Sequence, residues 1–248
     1  MERKCVNTVK MFNIDFFSRD KKELLRIIDE WIGSKNKNKW IATVNPEFVM
    51  LSSKDRHFLN ILKKTDLNVV DGRGLAWAIK KKLGKKIEVI PGSDLIDDLC
   101  ELSENKGYSV YFLGGWKDRS KRSAMFFQRK YPKLKVSGYY GGKSIGEDQK
   151  ILKKMGKRRV DILFVAFGMR TQEEWIERNL RNLNVGVVMG VGRSFDYYSG
   201  DLKRAPKLWQ KIGFEWLFSL ILEPKRWRRQ FELPKFVLKV LFQAPNRD

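Results

Sequence analysis

Apolar and polar positions along the chain follow two alternating patterns. Short apolar runs occur at Lys39–Asn45, Leu67–Val70, Ser109–Gly115, Asp161–Phe167 and Val185–Val191, each ending in or followed by glycine or a polar residue. Between them lie segments whose apolar residues recur at helical spacing. In Ser18–Ile32, for example, Leu24, Leu25, Ile27, Ile28 and Trp31 share one stripe, with Ser18 as the expected cap. The same reading predicts helices over Pro46–Leu51, Asp55–Lys64, Gly74–Lys82, Asp94–Lys106 (capped by Ser93), Arg119–Tyr131, Gln149–Arg158 and Thr171–Leu183. Met11–Phe17 reads as an edge strand or hairpin, and Lys135–Gly142 as a further strand with a glycine-rich end. Strands alternating with helices predict an α/β fold: a parallel sheet flanked by helices and joined by right-handed crossovers.

The pattern changes after Gly200. Residues 201–248 carry 11 Lys+Arg against 5 Asp+Glu and are rich in Trp and Phe. The expected organisation is a catalytic domain over residues 1–200 and a basic, aromatic helical appendage over 201–248. A C-terminal helical pair packed on the sheet is the other reading of that segment.

Composition narrows the class. With 42% hydrophobic residues among 248, a sizeable core is available and disorder is not the default. Cys5 and Cys100 lie far apart with no Cys-x-x-Cys, which points to neither a disulfide framework nor a zinc site and suits a reducing compartment. The N-terminus has no signal-peptide pattern, and no stretch approaches the ~18 apolar residues of a spanning helix. The net charge of +22 favours a polyanionic partner: nucleic acid, a phosphate-bearing substrate or an anionic membrane face. Scattered solubilising lysines account for part of it.

In an open parallel sheet, ligands bind outside the carboxyl ends of the strands. Those ends carry Thr43 and Asn45, Asp71, Gly114 and Gly115, Gly168 followed by Gln172, and Val191–Asp196 with Gly192 and Asp196. Asp71 stands out because Gly72 and Gly74 follow it and allow a close backbone approach to a ligand. It reads either as a catalytic carboxylate or as the cap of the next helix. Several chemistries lack their signatures. The Gly72-x-Gly74 turn has Trp77 where a dinucleotide fingerprint needs its third glycine, and Gly190-x-Gly192 has Phe195 there. There is no Asp-x-Asp clamp, Walker loop or Gly-x-Ser-x-Gly elbow, and His57 is the only histidine. What remains is a carboxylate base acting on an anionic donor, with no metal and no cofactor expected.

Taken in order, Thr43-Val-Asn-Pro-Glu47, Val70-Asp-Gly-Arg-Gly74, Pro91-Gly-Ser-Asp-Leu95, Phe112-Leu-Gly-Gly115, Gly138-Tyr-Tyr-Gly141, Phe167–Trp175, Val191–Asp196, Arg204-Ala-Pro206, Glu215-Trp216 and Glu223-Pro-Lys-Arg226 resemble the WecG/TagA/CpsF family of bacterial glycosyltransferases. The resemblance implies a Rossmann-like core that uses no bound metal, with an appendage that meets the membrane. It implies inverting transfer of an N-acetylhexosamine, such as N-acetylmannosamine, from a UDP-sugar to an undecaprenyl-diphosphate-linked sugar, at the cytoplasmic face of the cell membrane. By motif, Asp71 is the general base. Thr43, Asn45 and Gln172 line the donor pocket, and Asp196 with Gly192 holds the nucleotide. Gly72, Gly114, Gly115, Gly168 and Arg204 complete the substrate-binding set, and Arg226 and Arg229 face the diphosphates. The sequence departs from the family at Arg170, where proline is usual, and at Val89 and Ser219, where arginine is usual. Arg73, Arg170 and Arg193 are the cations expected to compensate. A cationic, apolar tail is also a surface that a second copy of the chain could cover. The competing class is a single-stranded nucleic-acid-binding protein using the basic and aromatic residues of Lys225–Phe231. No recognition motif accompanies them, so a nucleic-acid partner is not expected.

Overall fold

The computed structural model describes residues 7–142, 146–212, 215–223, 227 and 231–242. Its centre is an eight-stranded sheet in the order β1-β2-β4-β3-β8-β7-β5-β6. The strands are β1 Thr8–Met11, β2 Ile14–Phe17, β3 Lys39–Val44, β4 Leu67–Val70, β5 Ser109–Gly114, β6 Lys135–Tyr140, β7 Val160–Ala166 and β8 Val185–Gly190. Only β1 runs antiparallel, paired to β2 at the sheet edge. Met11–Phe17 therefore takes in the end of the first arm, the turn and the second arm of a hairpin that begins at Thr8. Phe12 and Asn13 both take positive φ, which matches the right-handed twist of the arms they join. β4 and β8 are buried at every position, as strands covered on both faces must be. The edge strand β6 alternates between exposed and half-buried.

Helices cover both faces. On one face, α2 (Pro46–Lys54), α3 (Arg56–Lys64), α4 (Arg73–Leu83), α7 (Asp148–Met155) and α8 (Thr171–Asn179) close a core around Phe48, Phe58, Ile79, Ile151 and Trp175. On the other, α1 (Lys21–Gly33), α5 (Gly92–Lys106), α6 (Arg119–Lys130) and α9 (Ser194–Tyr198) do so with Leu24, Leu99, Phe127 and Phe195. Burying so many large apolar side chains is the main stabilising term, at about 25 cal/mol per Å² removed from water.

Two expected caps differ. Asp20, not Ser18, caps α1 by accepting from the Glu23 N–H at 2.8 Å, while the Ser18 hydroxyl donates to the Asn7 carbonyl. The extra two residues of chain are taken up by the exit from β2. α5 starts at Gly92, so Ser93 lies buried inside its first turn instead of capping it.

The segment after Gly200 does not behave as one piece. Helices Lys207–Ile212 and Glu215–Leu222 pack on each other through an edge contact between Trp209 and Phe218. The last helix, Glu232–Phe242, packs on α2 and α4 and puts Phe236 and Val240 wholly inside the core, with Phe236 6.0 Å from the Phe12 ring. Lys54 and Glu232 form an ion pair across that joint at 3.1 Å. Leu238, Leu241 and Phe242 on the same helix face solvent. Among the described residues, no helix is long and apolar enough to cross a membrane.

β3 and β8 are neighbours in the sheet, but the chain leaves them in opposite directions. From β3 it leads to β4 on one side, and from β8 it leads to α9, packed on α6 on the other. Such a divergence opens a crevice at the carboxyl edge.

Candidate active site at the carboxyl ends of the strands

Asp71 is held at the end of β4 by its N–H, which donates to the Val44 carbonyl at 2.8 Å. It does not cap the following helix: Gly72 occupies the cap position of α4, with φ +99° and no side-chain bond. The half-buried Asp71 carboxylate turns instead towards the first turn of α5, where the Gly92 N–H lies 3.4 Å from Oδ2. A helix N-terminus favours negative charge near it. Thr43 is next to it. A β-carbon at Gly92 would sit 3.0 Å from Thr43 Oγ1, and the same hydroxyl donates to the Gly190 carbonyl at 3.2 Å. Thr43, Asp71, Gly92 and Gly190 thus meet at the β3–β8 divergence. Asn45 is at the same edge, but its Oδ1 is used to cap α2, accepting from the N–H groups of Glu47 and Phe48.

Gln172 is placed differently from a pocket-lining residue. It is buried, and both ends of its amide are engaged: Nε2 donates to Glu173 Oε1 at 2.7 Å, and Oε1 accepts from the Gly192 N–H at 2.9 Å. Glu173 is wholly buried, and its Oε2 accepts from the Arg170 N–H at 2.8 Å. Burial pushes the Glu173 carboxyl up to about 7, against the opposing pull of these hydrogen bonds. Gly168 and Gly192 have positive φ, and among the described residues no heavy atom beyond their chain neighbours lies within 4 Å of where a β-carbon would be.

Asp196 is buried between two arginines: Oδ1 pairs with Arg119 at 2.6 Å and Oδ2 with Arg193 at 2.9 Å. Arg119 follows the Gly114–Gly115 turn. A β-carbon at Gly114 would fall 2.9 Å from the Ala166 backbone, so that turn is pressed against β7. Arg119 and Arg122 also hold Asp201, whose carboxyl they pull down to about 2. Arg193 reaches on to Glu223, and Arg204 pairs with Asp94 in α5, close to the point where the Tyr198 hydroxyl donates to the Ser93 carbonyl. The contacts therefore run in a circuit from β4 through α5, Arg204 and α9 to β8 and back to β3.

Of the arginines expected to supply cations, Arg170 is committed to Asp55 and Glu174, and Arg193 to Asp196 and Glu223. Arg73, in the first turn of α4, is exposed and forms no ion pair among the described residues. Arg226 and Arg229 lie outside the described residues. Among the described residues, no group of three or more His, Cys, Asp or Glu converges as a metal site. Cys100 is buried and unpaired as a disulfide partner.

The model of the glycosyl transferase WecG/TagA/CpsF family matches residues 9–248. The chain belongs to this family. Among its relatives is the N-acetylglucosaminyldiphosphoundecaprenol N-acetyl-beta-D-mannosaminyltransferase of Bacillus subtilis (strain 168), 31% identical over 220 residues, covering 89% of this chain and 84% of that protein. Proteins of the same name from Bacillus spizizenii (28% identical, 97% and 91% covered) and Staphylococcus aureus MRSA252 (26%, 96% and 94%) align over nearly the whole chain. Within this WecG/TagA/CpsF chain, Thr43 and Asp71 come together, whereas Asp196, beyond the end of the neighbouring β8, is taken up in a buried ion-pair network. Sequence reasoning passed over Gly92, Asp94, Arg119 and Glu173 as site residues. Gly92 and Asp94 lie in the Pro91–Leu95 motif and Glu173 in Phe167–Trp175, whereas Arg119 lies in none of the motifs.

Proposed function

We propose that the chain is an inverting glycosyltransferase that moves an N-acetylhexosamine from UDP to a sugar carried on undecaprenyl diphosphate, for a cell-wall or surface polysaccharide. The names of its relatives support N-acetylmannosamine as the transferred sugar and an N-acetylglucosaminyl-diphosphoundecaprenol acceptor. The observation that carries the reading is the setting of Asp71. It is an aspartate at a strand end, released from helix capping, at the start of α5 and beside the β3–β8 crevice.

The chemistry follows from that setting. A sugar hydroxyl is a weak nucleophile, so a carboxylate within hydrogen-bond reach takes its proton as attack proceeds. The acceptor oxygen bonds to C1 of the donor sugar while the bond from C1 to the UDP oxygen breaks. UDP leaves with that electron pair, and a single displacement inverts C1. The leaving diphosphate gains charge, which arginines and backbone N–H groups at helix starts can stabilise. Arg204 and the basic C-terminal segment are the cationic groups proposed for this role, joined by the exposed Arg73. No resident metal is part of the scheme, because the cationic groups at this edge are arginines. The solvent-facing Leu238, Leu241 and Phe242, with Trp227 and Phe231, are proposed to rest on the anionic inner face of the cell membrane, where the lipid-linked acceptor is presented.

The test is to incubate purified protein with a panel of UDP-sugars and short-chain polyprenyl-diphosphate acceptors, reading UDP release and the anomeric configuration of the product. UDP-N-acetylmannosamine turnover to an inverted product is expected. No turnover of any UDP-sugar, or a retained configuration, would overturn the reading.

A further inference from the structure

The buried pair Gln172–Glu173 lies below the crevice, out of reach of any ligand, yet it ends on the Gly192 turn. An ionised carboxylate only accepts hydrogen bonds, so whenever Glu173 is charged the Gln172 end facing it is the NH2 group. The opposite end, Oε1, then points to Gly192, whose N–H is 2.9 Å away. The second Glu173 oxygen is fixed by the Arg170 N–H at the start of α8, so the carboxylate cannot turn without losing a bond. There is no space for rearrangement either. A β-carbon at Gly190 would lie 2.6 Å from Gln172 Nε2 and 2.8 Å from Glu173 Oε1, so the pair is pressed against the β8 backbone. The Gly190 carbonyl in turn receives the Thr43 hydroxyl. One line of contacts thus joins the start of α8, the end of β8 and Thr43 beside Asp71.

We infer that Glu173 is a positioning residue: its carboxylate fixes the orientation of the Gln172 amide, which holds the Gly192 turn with its α-carbon facing open crevice. This rests on the reading of that crevice as the donor site. A donor phosphate or sugar can then approach Gly192 closely, since among the described residues nothing lies within 4 Å of its missing side chain. A glutamate at the third position of a helix normally closes a capping box, as Glu173 does by accepting from the Arg170 N–H, and does so facing solvent. Complete burial of the carboxyl group instead, with all its visible partners N–H donors, is the kind of local cost that a site tolerates for its geometry.

The variant that tests this is Glu173→Gln. An amide at position 173 offers a donor and an acceptor, so Gln172 is free to turn over and the Gly192 N–H loses its fixed partner. Three quantities are read on the full chain: hydrogen exchange at the Gly192 amide by NMR, the KM values for donor and acceptor, and the thermal midpoint. Exchange at Gly192 is expected to quicken about tenfold or more while core amides in β7 and β8 keep their protection. The donor KM should rise about tenfold with kcat and acceptor KM little changed, the mark of lost donor binding. Gln172→Ala should give the same rise, and the double variant no more than either, because Glu173 acts through Gln172. Unchanged Gly192 protection in Glu173→Gln, or losses that multiply in the double variant, would overturn the inference. If Gly192 protection falls as expected while wild-type protein turns over no UDP-sugar, the positioning link stands and the donor reading fails.

Discussion

At Asp71, local sequence allows a helix cap or a reactive carboxylate, and the backbone decides between them. Gly72 takes the cap position in a conformation that an L-residue rarely adopts, which leaves the carboxylate to face α5. Thr43 and Asp71 could be read from sequence as neighbours because each ends a parallel strand, and strand ends share one edge. The fate of Gln172 and Asp196 could not, since it depends on what packs against them: the bare α-carbon of Gly190 for one, and arginines brought in from α6 and the β8 turn for the other. Two predictions belong to this scale. Gly190→Ala drives a methyl group into Gln172 and Glu173 and should cost about 1–3 kcal/mol, measured by denaturant unfolding. Glu173 has a carboxyl raised in the folded state from 4.5 to about 7, so folding holds the proton more tightly than the unfolded chain does. Its contribution to stability is full below about 4.5 and is lost as pH rises through about 7. Thermal midpoints measured across that range should fall with pH more steeply for the wild type than for Glu173→Gln.

At the scale of elements, most strands and helices up to Gly200 were legible, because buried parallel strands read as apolar runs and flanking helices as stripes, but the first hairpin arm, Thr8–Met11, and the short helix Ser194–Tyr198 were not. Ends were less so: Asp20 and Ser18 are both good caps, and only the length of the β2 exit selects Asp20. The last helix was hidden by its composition. Its basic and aromatic surroundings suggest a detached surface element, yet Phe236 and Val240, four residues apart, form one buried face. Phe236→Ala should therefore destabilise the whole fold, by about 3–5 kcal/mol, in chemical denaturation. A Phe236→Ala protein as stable as the wild type would mean that this helix does not belong to the core.

For the whole molecule, the charge of +22 and the apolar residues left exposed on Glu232–Phe242 act together. An anionic bilayer would attract the one and bury the other. Deleting the tail cannot test this cleanly, because deletion also empties the core of Phe236 and Val240. Replacing Leu238, Leu241 and Phe242 with glutamate leaves both in place. The triple variant should lose flotation with anionic liposomes while keeping its melting temperature, and wild-type flotation should weaken as salt rises. Flotation equal to the wild type would move the membrane contact elsewhere. The central claim is narrower than this and concerns proton transfer at one strand end. It is tested most directly by comparing Asp71→Asn with the wild type in transfer of N-acetylmannosamine from UDP to a short-chain N-acetylglucosaminyl-diphosphate lipid, with UDP-sugar affinity measured in parallel. The account predicts a fall in kcat of about 10²–10⁴ with donor affinity kept; a kcat at the wild-type level would contradict it.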